Sequence, residues 1–90
     1  MLDIRYSAKF KKDYKILIKR GYNPQLLIEV VELLRTEQPL PAKYKDHSLS
    51  GNFAEHRECH ITPDWLLIYK IEQDILTLTL TRTGTHSDLF

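Results

Sequence analysis

Leu76, Leu78 and Leu80 alternate with Thr77, Thr79 and Thr81. A strict period of two is the pattern of a strand with one face buried and the other in water. Two further strand candidates stand directly before it, Phe53 to Ile61 and the nearly continuous apolar run from Trp65 to Ile71. They are joined by Thr62-Pro63 and Gln73-Asp74, and connections that short require antiparallel neighbours, because a parallel crossover takes a dozen or more residues. The second half of the chain is therefore a three-strand meander with a face to bury, and something else must cover it.

The first half supplies the cover. Leu2 to Tyr6 alternates and reads as a short strand. Ser7 offers an N-cap, after which Phe10, Tyr14, Leu17 and Ile18 share one helical face, with Lys11, Lys12, Lys15 and Lys19 on the other. Gly21 should stop that helix. Asn23-Pro24 begins a second one, with Leu27, Val30, Val31 and Leu34 at helical spacing, and Pro39 and Pro41 should end it. The polar stretch from Pro41 to Gly51 reads as a loop. The expectation is an α+β fold of order β-α-α-β-β-β, two N-terminal helices packed on a small, largely antiparallel sheet, in one domain spanning residues 1–90.

Several function classes drop out. One cysteine, Cys59, allows no internal disulfide, and its parity with Phe53 and Ile61 makes it a core residue rather than a nucleophile. No apolar run approaches the ~20 residues of a membrane span, so no membrane role and a cytoplasmic location are expected. Three glycines, Gly21, Gly51 and Gly84, form neither a nucleophile elbow nor a phosphate-cradling loop. No ligand spacing suits structural zinc, and neither metal nor cofactor is expected. A net charge of +1 is too small to hold nucleic acid by electrostatics alone. The Lys9 to Arg20 segment is nevertheless basic, either a solvated helix face or a phosphate-facing surface on which Lys11 and Lys15 are candidate contacts.

Chemistry is concentrated in three polar motifs, Tyr44-Lys45-Asp46-His47, Arg57-Glu58-Cys59-His60 running into Pro63-Asp64-Trp65, and Arg82-Thr83-Gly84-Thr85-His86 ahead of Leu89-Phe90. Histidine gives or takes a proton near neutrality, so His47, His60 and His86 beside Asp64 suggest acid–base chemistry on an anionic substrate. Asp64 is equally a turn residue capping its own backbone. Glu58 is a runner-up base whose strand parity with His56 leaves its facing undecided. His56 reads as an exposed strand residue. Trp65 opens a buried strand, whereas Phe90 has no evident core slot and either docks locally or stacks on a base. Arg82 shares parity with the core-facing leucines, which is unusual unless a carboxylate or a phosphate meets it.

Together these residues resemble the YafQ branch of the RelE/ParE toxin superfamily, most specifically over Tyr44 to Tyr69 and Arg82 to Phe90. The resemblance implies a RelE-like microbial ribonuclease fold in the toxin half of a type II toxin–antitoxin module. It implies an endoribonuclease that cuts translated mRNA on the ribosome without metal. His47, His60, Asp64 and His86 would be the acid–base set, with Arg82, Trp65 and Phe90 supporting substrate. Implied partners are a cognate antitoxin, ribosome-bound mRNA, ribosomal RNA, and operator DNA reached only through the antitoxin. Within the same superfamily, ParE-like relatives poison a topoisomerase by binding, and a small RNA-binding regulatory module is a further alternative; the three imidazoles favour the nuclease.

Overall fold

The computed structural model describes residues 1–90. A short strand β1 (Asp3–Tyr6) leads into helix α1 (Ala8–Lys19), which starts where Ser7 Oγ accepts the Phe10 N–H at 2.9 Å. The same hydroxyl donates to the Thr81 carbonyl at 2.6 Å, so the cap also fixes the helix to the sheet. Gly21, at φ +89°, turns the chain away after α1. Helix α2 (Pro24–Arg35) has Asn23 as its cap, Oδ1 accepting from the Gln25 N–H at 3.0 Å, with Pro24 at the first helical position. It ends at Arg35, ahead of Pro39 and Pro41, because the Thr36 hydroxyl donates back to the Glu32 carbonyl and Glu37 takes a left-handed φ of 58°.

The remaining strands are β2 (His47–Ser48), β3 (Arg57–Thr62), β4 (Trp65–Glu72) and β5 (Thr77–Gly84), followed by the short helix α3 (His86–Leu89). The sheet order is β1-β5-β4-β3-β2. Three neighbouring pairs are antiparallel as the short connections require, and β1 runs parallel to β5 because both helices intervene between them.

Three boundaries differ from expectation. The stretch read as a loop contains β2, which pairs His47 with Glu58 and Ser48 with Arg57. The strand expected from Phe53 begins at Arg57, because Gly51–Phe53 forms a 3-10 turn and Glu55 has a φ of 67°. His56 is accordingly in the turn and half-buried, with its Nδ1 3.1 Å from the Ala54 carbonyl oxygen. Likewise β5 begins at Thr77, since Gln73–Ile75 is a 3-10 turn that Leu76 leaves at φ 47°.

One core cluster lies between helices and sheet, from Phe10, Leu17, Leu27, Val30 and Leu34 to Cys59, Trp65, Leu67, Tyr69, Leu78 and Leu80. Burial raises the Cys59 thiol to about 12, which makes it an inert core group. Leu66 and Ile68 are also fully buried but stand outside this cluster. By strand alternation they point to the helix-free face, and that face carries the polar motifs.

Candidate active site

Strand register builds the site. Glu58 lies between His47 on β2 and Ile68 on β4, and Ile68 is opposite Arg82; one step along, His60 is opposite Leu66, which is opposite Gly84. With α3 following Gly84, the three motifs meet on one face. The His47 and His60 ring centroids are 6.3 Å apart, His60 and His86 6.1 Å, and His86 and Phe90 6.0 Å. Phe90 then meets Phe53 edge-on at 6.1 Å. The result is a continuous row of rings.

Beneath the row lies a carboxylate. Glu58 is 4% exposed, with Oε1 3.4 Å from His47 Nε2 and 3.8 Å from His60 Nε2. His47 Nδ1 is 2.9 Å from the Lys45 carbonyl oxygen, which can only accept, so Nδ1 carries a hydrogen and Nε2 is the atom free to exchange its proton. That Nε2 faces Glu58. Glu58 Oε1 thus stands between the two Nε2 atoms and links His47 and His60 from below.

Two clamps hold the ends of the row. On the β2 side, Asp46 accepts from Arg57 Nε at 3.0 Å and Nη2 at 2.8 Å, and from the Tyr69 hydroxyl. Burial, and then the Asp46 contact, raise the Tyr69 phenol well above its usual range, keeping it a donor. Lys45 sits at a left-handed φ of 48°, the turn that aims the Asp46-His47 pair inward. On the α3 side, Thr85 and Asp88 form a reciprocal capping box and Arg20 Nη1 meets Asp88 Oδ2 at 2.8 Å. The Arg20 hydrogen bond, then that of the Thr85 backbone, lowers the Asp88 carboxyl to about 2. A Cβ at Gly84 would lie 2.9 Å from the Asp88 Cβ, so α3 folds back this closely only because residue 84 is glycine.

This fold coincides with that of known toxins. The chain matches the family described as "bacterial toxin of type II toxin-antitoxin system, YafQ" over residues 2–90. It belongs to that family. The mRNA interferase toxin YafQ of Escherichia coli K12 is 44% identical over 89 residues, covering 98% of this chain and 95% of the relative. The crystal structure of a metal-bound toxin from Helicobacter pylori is 54% identical with a TM-score of 0.94, each chain covered completely. YafQ in the E. coli DinJ–YafQ complex is 43% identical, with a TM-score of 0.90 over 100% of this chain and 99% of the other.

In this YafQ-family toxin the structure joins His47, His60, His86 and Phe90. It leaves Asp64 apart, exposed in the β3–β4 turn and without an ion pair or hydrogen bond to any imidazole. The residue beside the imidazoles is Glu58, whose facing stayed undecided in the sequence because the true start of β3 was hidden. Trp65 requires a correction as a substrate contact. It is 1% exposed, with Nε1 donating to Thr83 Oγ1 at 2.8 Å and its ring edge-on to Tyr22, so no substrate reaches it in this conformation.

Arg82 requires another. Leu80 pairs with Tyr69 but Arg82 pairs with Ile68, so Thr81 is a bulged extra residue and the parity reverses after it. Arg82 therefore leaves the side of the leucines, and its Nε and Nη2 grip Asp13 at 2.7 and 3.1 Å. Of the two partners the sequence left open, a carboxylate is the one present, and Arg82 is occupied. Lys43 and Lys45 share a cleft with His60 and form no ion pair, the Lys43 ammonium lying 5.1 Å from the centre of the Tyr44 ring. Lys11 and Lys15 line a separate apolar groove with Phe10, Tyr14 and Ile28, away from the imidazoles.

Proposed function

We propose that this YafQ-family toxin, like the E. coli mRNA interferases it matches, is an endoribonuclease, and that it cuts ribosome-bound mRNA in the cytoplasm by imidazole acid–base catalysis without metal. The observation that carries this reading is the row of His47, His60 and His86 with buried Glu58 beneath two of its rings. Attack by a ribose 2′-hydroxyl on its own phosphate needs a base for the hydroxyl proton, a cation for the added phosphorane charge, and an acid for the departing 5′-oxygen. His60 or His47, backed by Glu58, takes the proton. His86, at the far end of the row on the rigidly capped α3, returns one to the leaving oxygen. Lys45 faces the charge, and Phe90 offers an exposed ring for a base to stack on.

A net charge of +1 gives little counterion-release affinity for free RNA, so the programmed ribosome supplies the positioning. Type II toxins are neutralised by a protein antitoxin, and the cognate antitoxin is the expected regulator. Purified toxin with programmed ribosomes tests the chemistry. His47→Ala, His60→Ala and His86→Ala should each slow cutting by on the order of 10²–10⁴ while remaining folded. The upstream fragment should end in a cyclic or 3′-phosphate, and chelator should leave the rate unchanged. A 3′-hydroxyl end, or activity lost to chelator and restored by a divalent metal, rules the mechanism out.

A further inference from the structure

A cleft of about 380 Å³ opens beside the imidazole row, and beyond His60 and Lys45 its lining has no part in the chemistry above. Its size lies within the ~300–1,000 Å³ of small-molecule sites. Leu26 and Glu29 of α2, Lys43 and Lys45 from the turn before β2, and His60 and Ile61 of β3 contribute to its wall. His60 belongs to both the cleft and the row. An RNA strand whose scissile phosphate lies on the row can continue past His60 into the cleft, which adjoins the row there.

The lining suits a nucleotide. Lys43 and Lys45 are exposed cations able to meet a phosphate, and neither forms an ion pair within the chain. Leu26, 36% exposed, and Ile61 give apolar surface for a base. Glu29 is exposed and has no ion-pair or hydrogen-bond partner of its own side chain, unlike Glu32 on the next turn, which is held by Arg35. An ionised carboxylate only accepts hydrogen bonds.

We propose that this cleft is the subsite for the base adjoining the cut, and that Glu29 selects bases bearing an exocyclic amino group over uracil. Adenine, cytosine and guanine each present an amino N–H that a carboxylate can accept. Uracil presents carbonyl oxygens at the corresponding positions, so a carboxylate held opposite one of them meets an acceptor and keeps at most the single N3–H as a donor. Lys43 holds the phosphate of that nucleotide and carries no base preference. This assignment rests on the endoribonuclease reading.

The test is single-turnover cutting, by the full-length toxin on programmed ribosomes, of messages randomised at the bases flanking the cut. Wild type should cut beside uridine on the order of tenfold more slowly than beside an amino-bearing base. Glu29→Gln, whose amide can also donate, should remove most of that difference, chiefly by raising the rate beside uridine. Lys43→Ala should raise KM about severalfold for every base alike and keep the wild-type preference. If wild type cuts without disfavouring uridine, or Glu29→Gln keeps the full preference, the subsite is wrong and the nuclease reading stands. If wild type cuts no message, both fall.

Discussion

Glu58 lies beneath two imidazoles, a position that its sequence neighbours disguised. Its parity with His56 left its facing undecided; the 3-10 turn at Gly51–Phe53 takes His56 out of the strand, and β3, beginning at Arg57, places Glu58 under two imidazoles. Asp64 and Arg82 stand apart from the row for reasons the sequence hides, one because a turn aspartate looks the same whether or not it has a partner, the other because a one-residue bulge at Thr81 reverses parity without any mark in composition. His47, His60 and His86 were legible because imidazoles clustered in polar motifs have few purely structural uses. Glu58→Gln should keep the fold and slow single-turnover cutting about a hundredfold, whereas Asp64→Asn should fall within about threefold of wild type. Circular dichroism alongside the rates separates lost chemistry from lost structure; the reverse ranking of the two variants would return the orienting role to Asp64.

At the scale of elements, caps and breakers were readable, and short pieces were not. Ser7, Asn23-Pro24 and Gly21 place both long helices from local chemistry alone. Strand β2 and helix α3 span two and four residues and exist only through tertiary contacts, which no local window contains. Helix α3 hangs on Asp88, whose carboxyl titrates at about 2 when folded against an ordinary value of 3.8. A depressed acid contributes stability that is complete above the ordinary value and is lost as pH falls through the folded one. The docking of α3 should therefore be insensitive to pH above about 5 and loosen between about pH 4 and 2. In Asp88→Asn that acid step should vanish and the His86 and Phe90 resonances should show exchange already at neutral pH, a shift readable by NMR. Gly84→Ala should disturb the same resonances through the clash with Asp88, leaving the β1–β5 pairing intact.

The whole molecule divides its labour between two faces of one sheet. Helices and core occupy one, and the ring row occupies the other. Lys11 and Lys15 belong to the helical side, so they cannot touch the reacting phosphate. Lys11→Glu/Lys15→Glu should weaken ribosome association and steepen its salt dependence, with the rate in a saturated complex nearly unchanged. Co-sedimentation with ribosomes across a salt series, paired with single-turnover cutting, measures both halves of that expectation. Leu67→Ala, beneath the row but on the core side, should instead cost about 2–5 kcal/mol and lower activity only with the folded fraction. The parallel pairing of β1 with β5, from Asp3 opposite Thr77 to Tyr6 opposite Leu80, has a kinetic meaning as well. Contacts of such long range form late, because the loop between the partners must close first. During synthesis β1 has nothing to pair with until the whole meander has emerged, so the nascent polypeptide should remain soft and protease-sensitive for most of its elongation. The imidazole row, which needs β5 and the residues after it, is thus the last part of the molecule to exist.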